Sequence, residues 1–187
     1  MIYEALTFIA SELNQYFKSK FHVAEEKVII SNLINQDGSS AIKDENKVII
    51  SLVSIQDERM LSKMPVNAAG RSNPPIYLNL FLLFTTSFSG NLTVEGLKFL
   101  ASIVGFFQAR NVFTSSSGSL DANIDKLIFE LHNLNFVEQN NLWASLGAKY
   151  NPSLLYKVRM VMIEEGLLNY EYHPVSQISD ERETATD

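Results

Sequence analysis

Histidines, adjacent acids and one basic, aromatic cluster are the side chains of this sequence whose types could do chemistry. His22, His132 and His173 stand far apart, and none is spaced from a second candidate ligand in the arrangement a metal site requires. No metal ion and no cofactor is expected. The carboxylates of Asp57-Glu58 and Glu164-Glu165 could be imagined sharing acid/base work, but neighbours on an extended segment point to opposite faces. Gly118, between Ser117 and Ser119, has loop composition and makes no nucleophile elbow, and no glycine pattern for cradling phosphates occurs. The absence of cysteine removes disulfides, thiolate chemistry and iron–sulfur ligation together. No catalytic residue is assigned, and a non-enzymatic role is expected.

Lys149, Tyr150, Lys157 and Arg159 form the cluster with recognition chemistry, and taken alone it would suit a phosphate backbone. The whole chain carries a net charge of -6, which opposes binding driven by counterion release, so nucleic acid is not an expected partner. An outer strand face that meets an acidic partner and a plainly solvated face remain the two readings of that cluster.

The elements that must position these residues follow from periodicity. Ile2, Leu6, Ile9, Leu13, Tyr16 and Phe17 recur at three-to-four spacing and predict an amphipathic helix to about residue 18, lying across a sheet. Two β-branched runs, 27–34 and 47–55, read as strands joined by the Gly- and Asx-bearing segment 35–40 as a hairpin or corner. Between 56 and 75 the periodicity lapses while charged, Gly and Pro residues accumulate, which predicts an irregular contact loop. Beyond it, 76–84 alternates as a long central strand.

Asn91 is a suitable N-cap for a helix to about Gln108, with Leu97, Leu100, Ala101, Val104 and Phe107 on one face and Phe99, Ile103 and Phe106 on a second. Such a helix is either sandwiched or meets another subunit on its outer side, and the sandwich is the preferred reading. A strand over 127–132, a short helix over 137–146 stopped by Gly147, and a last strand from Leu154 to about Glu165 complete the order. Trp143 is expected to fill the core and Pro152 to shape a turn. The longest apolar runs are roughly half the ~20 residues that span a bilayer, so no membrane insertion is expected, and Met1–Glu4 lacks the basic start of a leader. The 187 residues, 46% of them hydrophobic, suit a single α+β domain over 1–172 followed by an acidic, flexible tail over 173–187.

Six blocks in this order, MIYEALTFIASELNQYF, VIISNLINQDGS, VIISLVSIQDERM, NPPIYLNLFLLF, LKFLASIVGFFQ and above all QNNLWASLGAKYNPSLLYKVRM, give residues 1–168 a specific resemblance. The chain resembles the cap or tail-terminator proteins of extracellular contractile injection systems, phage-tail-like particles such as antifeeding prophages and virulence cassettes. The resemblance implies a mixed, mainly antiparallel sheet with helices packed on it. It also implies a structural ring, hexameric by the family, that ends polymerisation of the inner tube and the sheath, with tube and sheath proteins as partners. Assembly would be cytoplasmic and the chain would then belong to the finished particle.

By position in those blocks, Arg59, Asn73, Pro74, Pro75, Lys149, Tyr150, Asn151, Pro152, Lys157 and Arg159 are candidate interface residues, and Trp143 is a candidate scaffold residue. Reversing charge at Lys149 and Arg159 is expected to weaken docking without unfolding the chain. An adaptor elsewhere in the same particle and a small ligand-binding or regulatory domain stay open as alternatives.

Overall fold

Helix α1 (Ile2–Phe21) forms where the apolar stripe predicts it and buries Leu6, Ile9, Leu13 and Phe17. A computed structural model of the protein describes residues 1–43, 46–58, 76–88, 90–115 and 120–162. After α1 come β1 (Val28–Ile30), β2 (Lys47–Asp57), β3 (Ile76–Ser87), α2 (Thr93–Ala109), β4 (Val112–Thr114), β5 (Ile124–His132), α3 (Phe136–Ser145) and β6 (Ser153–Met162). The strands make one six-stranded sheet in the order β1-β2-β3-β6-β5-β4. All pairs are antiparallel except β1 with β2.

This α+β architecture, a mainly antiparallel sheet carrying helices, is the expected class. Strand alternation sends Val48, Ile50, Leu80, Leu82, Phe84, Phe129, Tyr156 and Val158 to one face, where α1 and α2 cover them. That inner core is aromatic: Phe17 meets Phe99 at 4.9 Å, and Phe107 stacks on Phe129 at 4.2 Å between ring centres. The other face has a smaller cover, in which α3 and the segment after β1 close over Ile49, Leu83 and Leu155. Gly96 lets α2 approach β3, since a Cβ there would stand 3.2 Å from the Phe88 ring and from Thr86 Oγ1. Gly147 ends the α3 turn at φ 65°, the left-handed position it is suited to.

Four expectations need correction. The first two strands are not a hairpin: β1 is short and parallel to β2, and the chain between them crosses the outer face, burying Leu33 and packing Ile34 and Ile42 there. The strand leaving toward the irregular loop runs through Asp57, and Glu58 N still donates to Tyr77 O at 2.9 Å. Asn91 is not the N-cap of α2. It lies in a 3-10 turn (Gly90–Leu92), the cap position is Leu92, and Thr93 Oγ1 donates to Gly90 O at 3.0 Å. Strand β4 is too short for an alternation to announce it.

Candidate docking surfaces

The expected interface residues divide by position. Arg59, Asn73, Pro74 and Pro75, with most of the loop over 56–75, lie outside the described residues, as does the acidic tail. Lys149, Tyr150 and Asn151 are exposed in the turn between α3 and β6, while Pro152 is half-buried and its carbonyl accepts from Thr85 Oγ1 at 3.1 Å. Trp143 is the scaffold of that turn: only 4% exposed, it packs into the outer cluster and meets the Tyr150 ring edge-on at 5.5 Å. The α3 helix that carries it is set by a reciprocal cap, in which Asn135 Oδ1 accepts from Val137 N and Glu138 N, and Glu138 Oε2 accepts from Asn135 N. Trp143 Nε1 is buried without a hydrogen-bond partner among the described residues, so shape rather than polarity holds it.

Lys157 and Arg159 belong to β6 itself and do not join the turn into one cluster. From Pro152 to Arg159 the strand advances about 20 Å at ~3.3 Å per residue. Arg159 opposes Asn79 and Ile128, and its Nε stands 2.7 Å from Glu58 Oε2. Both side chains are mostly buried, so Arg159, although it lies outside both hydrophobic clusters, is engaged by the fold's own ion pair, whereas Lys149 is exposed. Lys157 lies opposite Glu130 on β5, a cross-strand neighbour of opposite charge.

Asn14 is a functional candidate that the sequence reading passed over. It is 7% exposed and faces the outer edge of β1. Its Oδ1 accepts from Val28 N at 2.8 Å and from Lys27 N at 2.9 Å, and its Nδ2 donates to Val28 O at 3.0 Å. One side-chain amide thereby satisfies the groups that an added strand would pair with at Val28. The signal was available as a polar residue inside the apolar stripe of α1, between Leu13 and Phe17.

Helix α2 is not sandwiched among the described residues. Its core face is Phe99, Ile103 and Phe107, while Val94 is 65% and Leu97 46% exposed, with Ala101 also exposed on the outer side. Where α2 ends, Val104, Phe107, Gln108, Asn111, Phe129, Leu131 and Tyr156 line an open groove of about 510 Å³. Burial pushes the Tyr156 hydroxyl above its ordinary ionisation range. At the opposite face of the sheet, Phe136 at the start of α3 is 91% exposed and Val137 beside it 69%.

Among the described residues no group of three His, Asp or Glu side chains is gathered as a metal site would need, and no helix is long and apolar enough to cross a membrane. What the arrangement offers is recognition: apolar surface, a groove and short sheet edges.

Three comparisons bear on this geometry. The family model of the Pvc16 N-terminal domain matches residues 4–177. Among solved structures the fold is similar to the sheath/tube terminator of an extracellular contractile injection system, PVC, in its extended state, with a TM-score of 0.56 and 11% identity over 100% of this chain and 64% of that one. It is also similar to the tube-terminating cap of the anti-feeding prophage, with a TM-score of 0.52 and 13% identity over 93% of this chain and 59% of that one. This chain thus spans less than two thirds of the length of either solved chain. No curated protein matches it.

Proposed function

This chain belongs to the Pvc16 N-terminal domain family, and on that premise we propose that it is a structural cap of a contractile injection particle, ending the growth of tube and sheath. The observation that carries the reading is a fold shared, over nearly the whole chain, with two proteins described as terminators. The cap is a ring of copies, six by the family resemblance, and it acts by surface complementarity rather than by chemistry.

The physical logic concerns open ends. Layers that stack through heterologous contacts never close along the axis, so each end presents a surface ready for the next layer. A terminator must complement that surface and offer no copy of it. The edge strands β1 and β4 are three residues each, and at β1 the Asn14 amide occupies the pairing groups of Val28. Short, filled edges discourage addition of a further strand. The exposed turn around Tyr150, held by buried Trp143, is a rigid contact toward tube or sheath.

The test is the length distribution of particles imaged by negative-stain electron microscopy from cells with and without this gene, and with the gene restored. Overlong or uneven tubes with an open end, corrected on restoration, are the expected result. Particles of normal length with both ends closed would overturn the cap reading and favour an adaptor role.

A further inference from the structure

Thr85 is a polar residue at a site where an apolar one would pack. It has no solvent exposure, and its neighbours across the sheet are Ile49 on β2 and Ser153 on β6. Alternation along β3 puts it on the outer face with Leu83, beside the cluster that holds Ile49 and Trp143. Valine has nearly the same volume and would suit that surrounding without burying a polar group, so the hydroxyl needs a use of its own. Among the described residues that use is one bond, donated to the Pro152 carbonyl at 3.1 Å across 67 positions of sequence.

Pro152 is the last residue before β6, and the exposed turn of Lys149, Tyr150 and Asn151 hangs from it. Among the described residues no backbone hydrogen bond ties Ala148, Lys149, Tyr150 or Asn151. The turn is therefore placed by its two ends and by one ring contact. At the α3 end, Gly147 N donates to Ala144 O at 3.1 Å, and Ala148 packs against the outer cluster. In the middle, Tyr150 meets the buried Trp143 ring at 5.5 Å. At the β6 end the proline ring fixes φ of Pro152 and keeps Asn151 extended. The direction of the Pro152 carbonyl is the freedom that remains there, and the Thr85 hydroxyl sets it.

We infer that Thr85 is a positioning residue for docking: its buried hydroxyl holds the Lys149–Asn151 turn in the orientation that a tube or sheath surface meets. This deepens the cap reading, on which the use of the turn as a contact rests. Without the bond the half-buried Pro152 can turn its carbonyl to water, so the fold survives and the turn samples several directions. When only a fraction of copies presents the turn correctly, apparent affinity falls by that fraction.

The experiment compares three variants of the full chain. Thr85→Val removes the hydroxyl and keeps the shape, Thr85→Ser keeps the hydroxyl and drops the methyl, and Leu83→Val trims the same cluster without touching the bond. NMR relaxation gives the backbone order parameters of Ala148–Asn151, and the purified chains are then titrated onto particles prepared from cells lacking the gene. Thr85→Val is expected to lower those order parameters from about 0.85 to below about 0.6. It should keep a cooperative thermal transition and bind about tenfold more weakly. Thr85→Ser and Leu83→Val are expected to keep the order of the turn and to bind like wild type. Unchanged order in Thr85→Val, equal loosening in Thr85→Ser or Leu83→Val, a loosened turn that binds like wild type, or a wild-type chain that does not bind would each overturn the inference. The cap reading is decided separately, on particle length: overlong tubes without the gene, together with an undisturbed turn in Thr85→Val, defeat the role of Thr85 and leave the cap.

Discussion

The two faces of the sheet are covered on different principles. On the inner face, α1 and α2 lay an aromatic layer over residues of all six strands, and Phe17, Phe84 and Ile103 have no solvent exposure. On the outer face, among the described residues, a single short helix and one crossing segment cover the half around Ile49, Leu83 and Leu155, and a cleft of about 200 Å³ opens beside Trp143. The remainder of that face is charged: Arg159 with Glu58, Lys157 opposite Glu130. The difference teaches that stability and presentation are assigned to separate sides, so surface residues can be changed on one without dismantling the other.

The largest expected effect breaks the thicker side. Phe17→Ala should cost ~3–5 kcal/mol, because its ring is fully buried and its contact with Phe99 joins the two helices. Trp143→Ala should cost less, about 3 kcal/mol at the lower end of that range, since a shallow cluster beside a cleft can relax or take up water. Chemical denaturation compares the two, and hydrogen exchange locates them. Trp143→Ala should raise exchange in α3 and leave α1 protected, and an equal or larger loss at Trp143 would reverse the ranking of the faces.

A smaller effect is expected at the edge. Asn14→Leu keeps the volume but strips three hydrogen bonds from the backbone of Lys27 and Val28 at the start of β1, leaving buried groups whose loss costs ~1–3 kcal/mol. The same change removes the amide that fills the edge, so the variant should also self-associate more than wild type in sedimentation. Unchanged stability and unchanged association together would mean that Asn14 guards nothing.

The smallest effect sharpens the comparison from the outer side. Arg159→Gln should lower stability by only ~1 kcal/mol, because the Gln amide can still donate to the half-buried Glu58 carboxylate that Arg159 pairs with. A drop as large as that of Phe17→Ala would show that the charged half-face is as much a foundation as the aromatic one. Thermal melting reads the difference directly.

Much of the fold was legible locally. The apolar stripe of α1, the alternation of β3 and β6, Gly147 as the stop of α3 and the burial of Trp143 all follow from spacings of two to four residues. The candidate site was legible only in part. Lys149 and Tyr150 are exposed as expected, but Arg159 is engaged by Glu58, a residue remote in sequence and brought near by the β2–β3–β6 order. Among the described residues α2 lacks the preferred sandwich, because two apolar faces on a helix say that both want cover, not which segment supplies it.

By itself the sequence determined the types and order of the main elements, the acidic balance and the family, because each is carried by composition, short-range periodicity or ordered blocks. Only the tertiary structure decided that β1 runs parallel to β2, that β6 enters between β3 and β5, and that Asn14 serves as the neighbour of an edge strand. It also decided which apolar surfaces the described residues leave uncovered. Pairing and cover are chosen among segments far apart in the chain, where the free energy depends on three-dimensional fit and no local spacing encodes the partner.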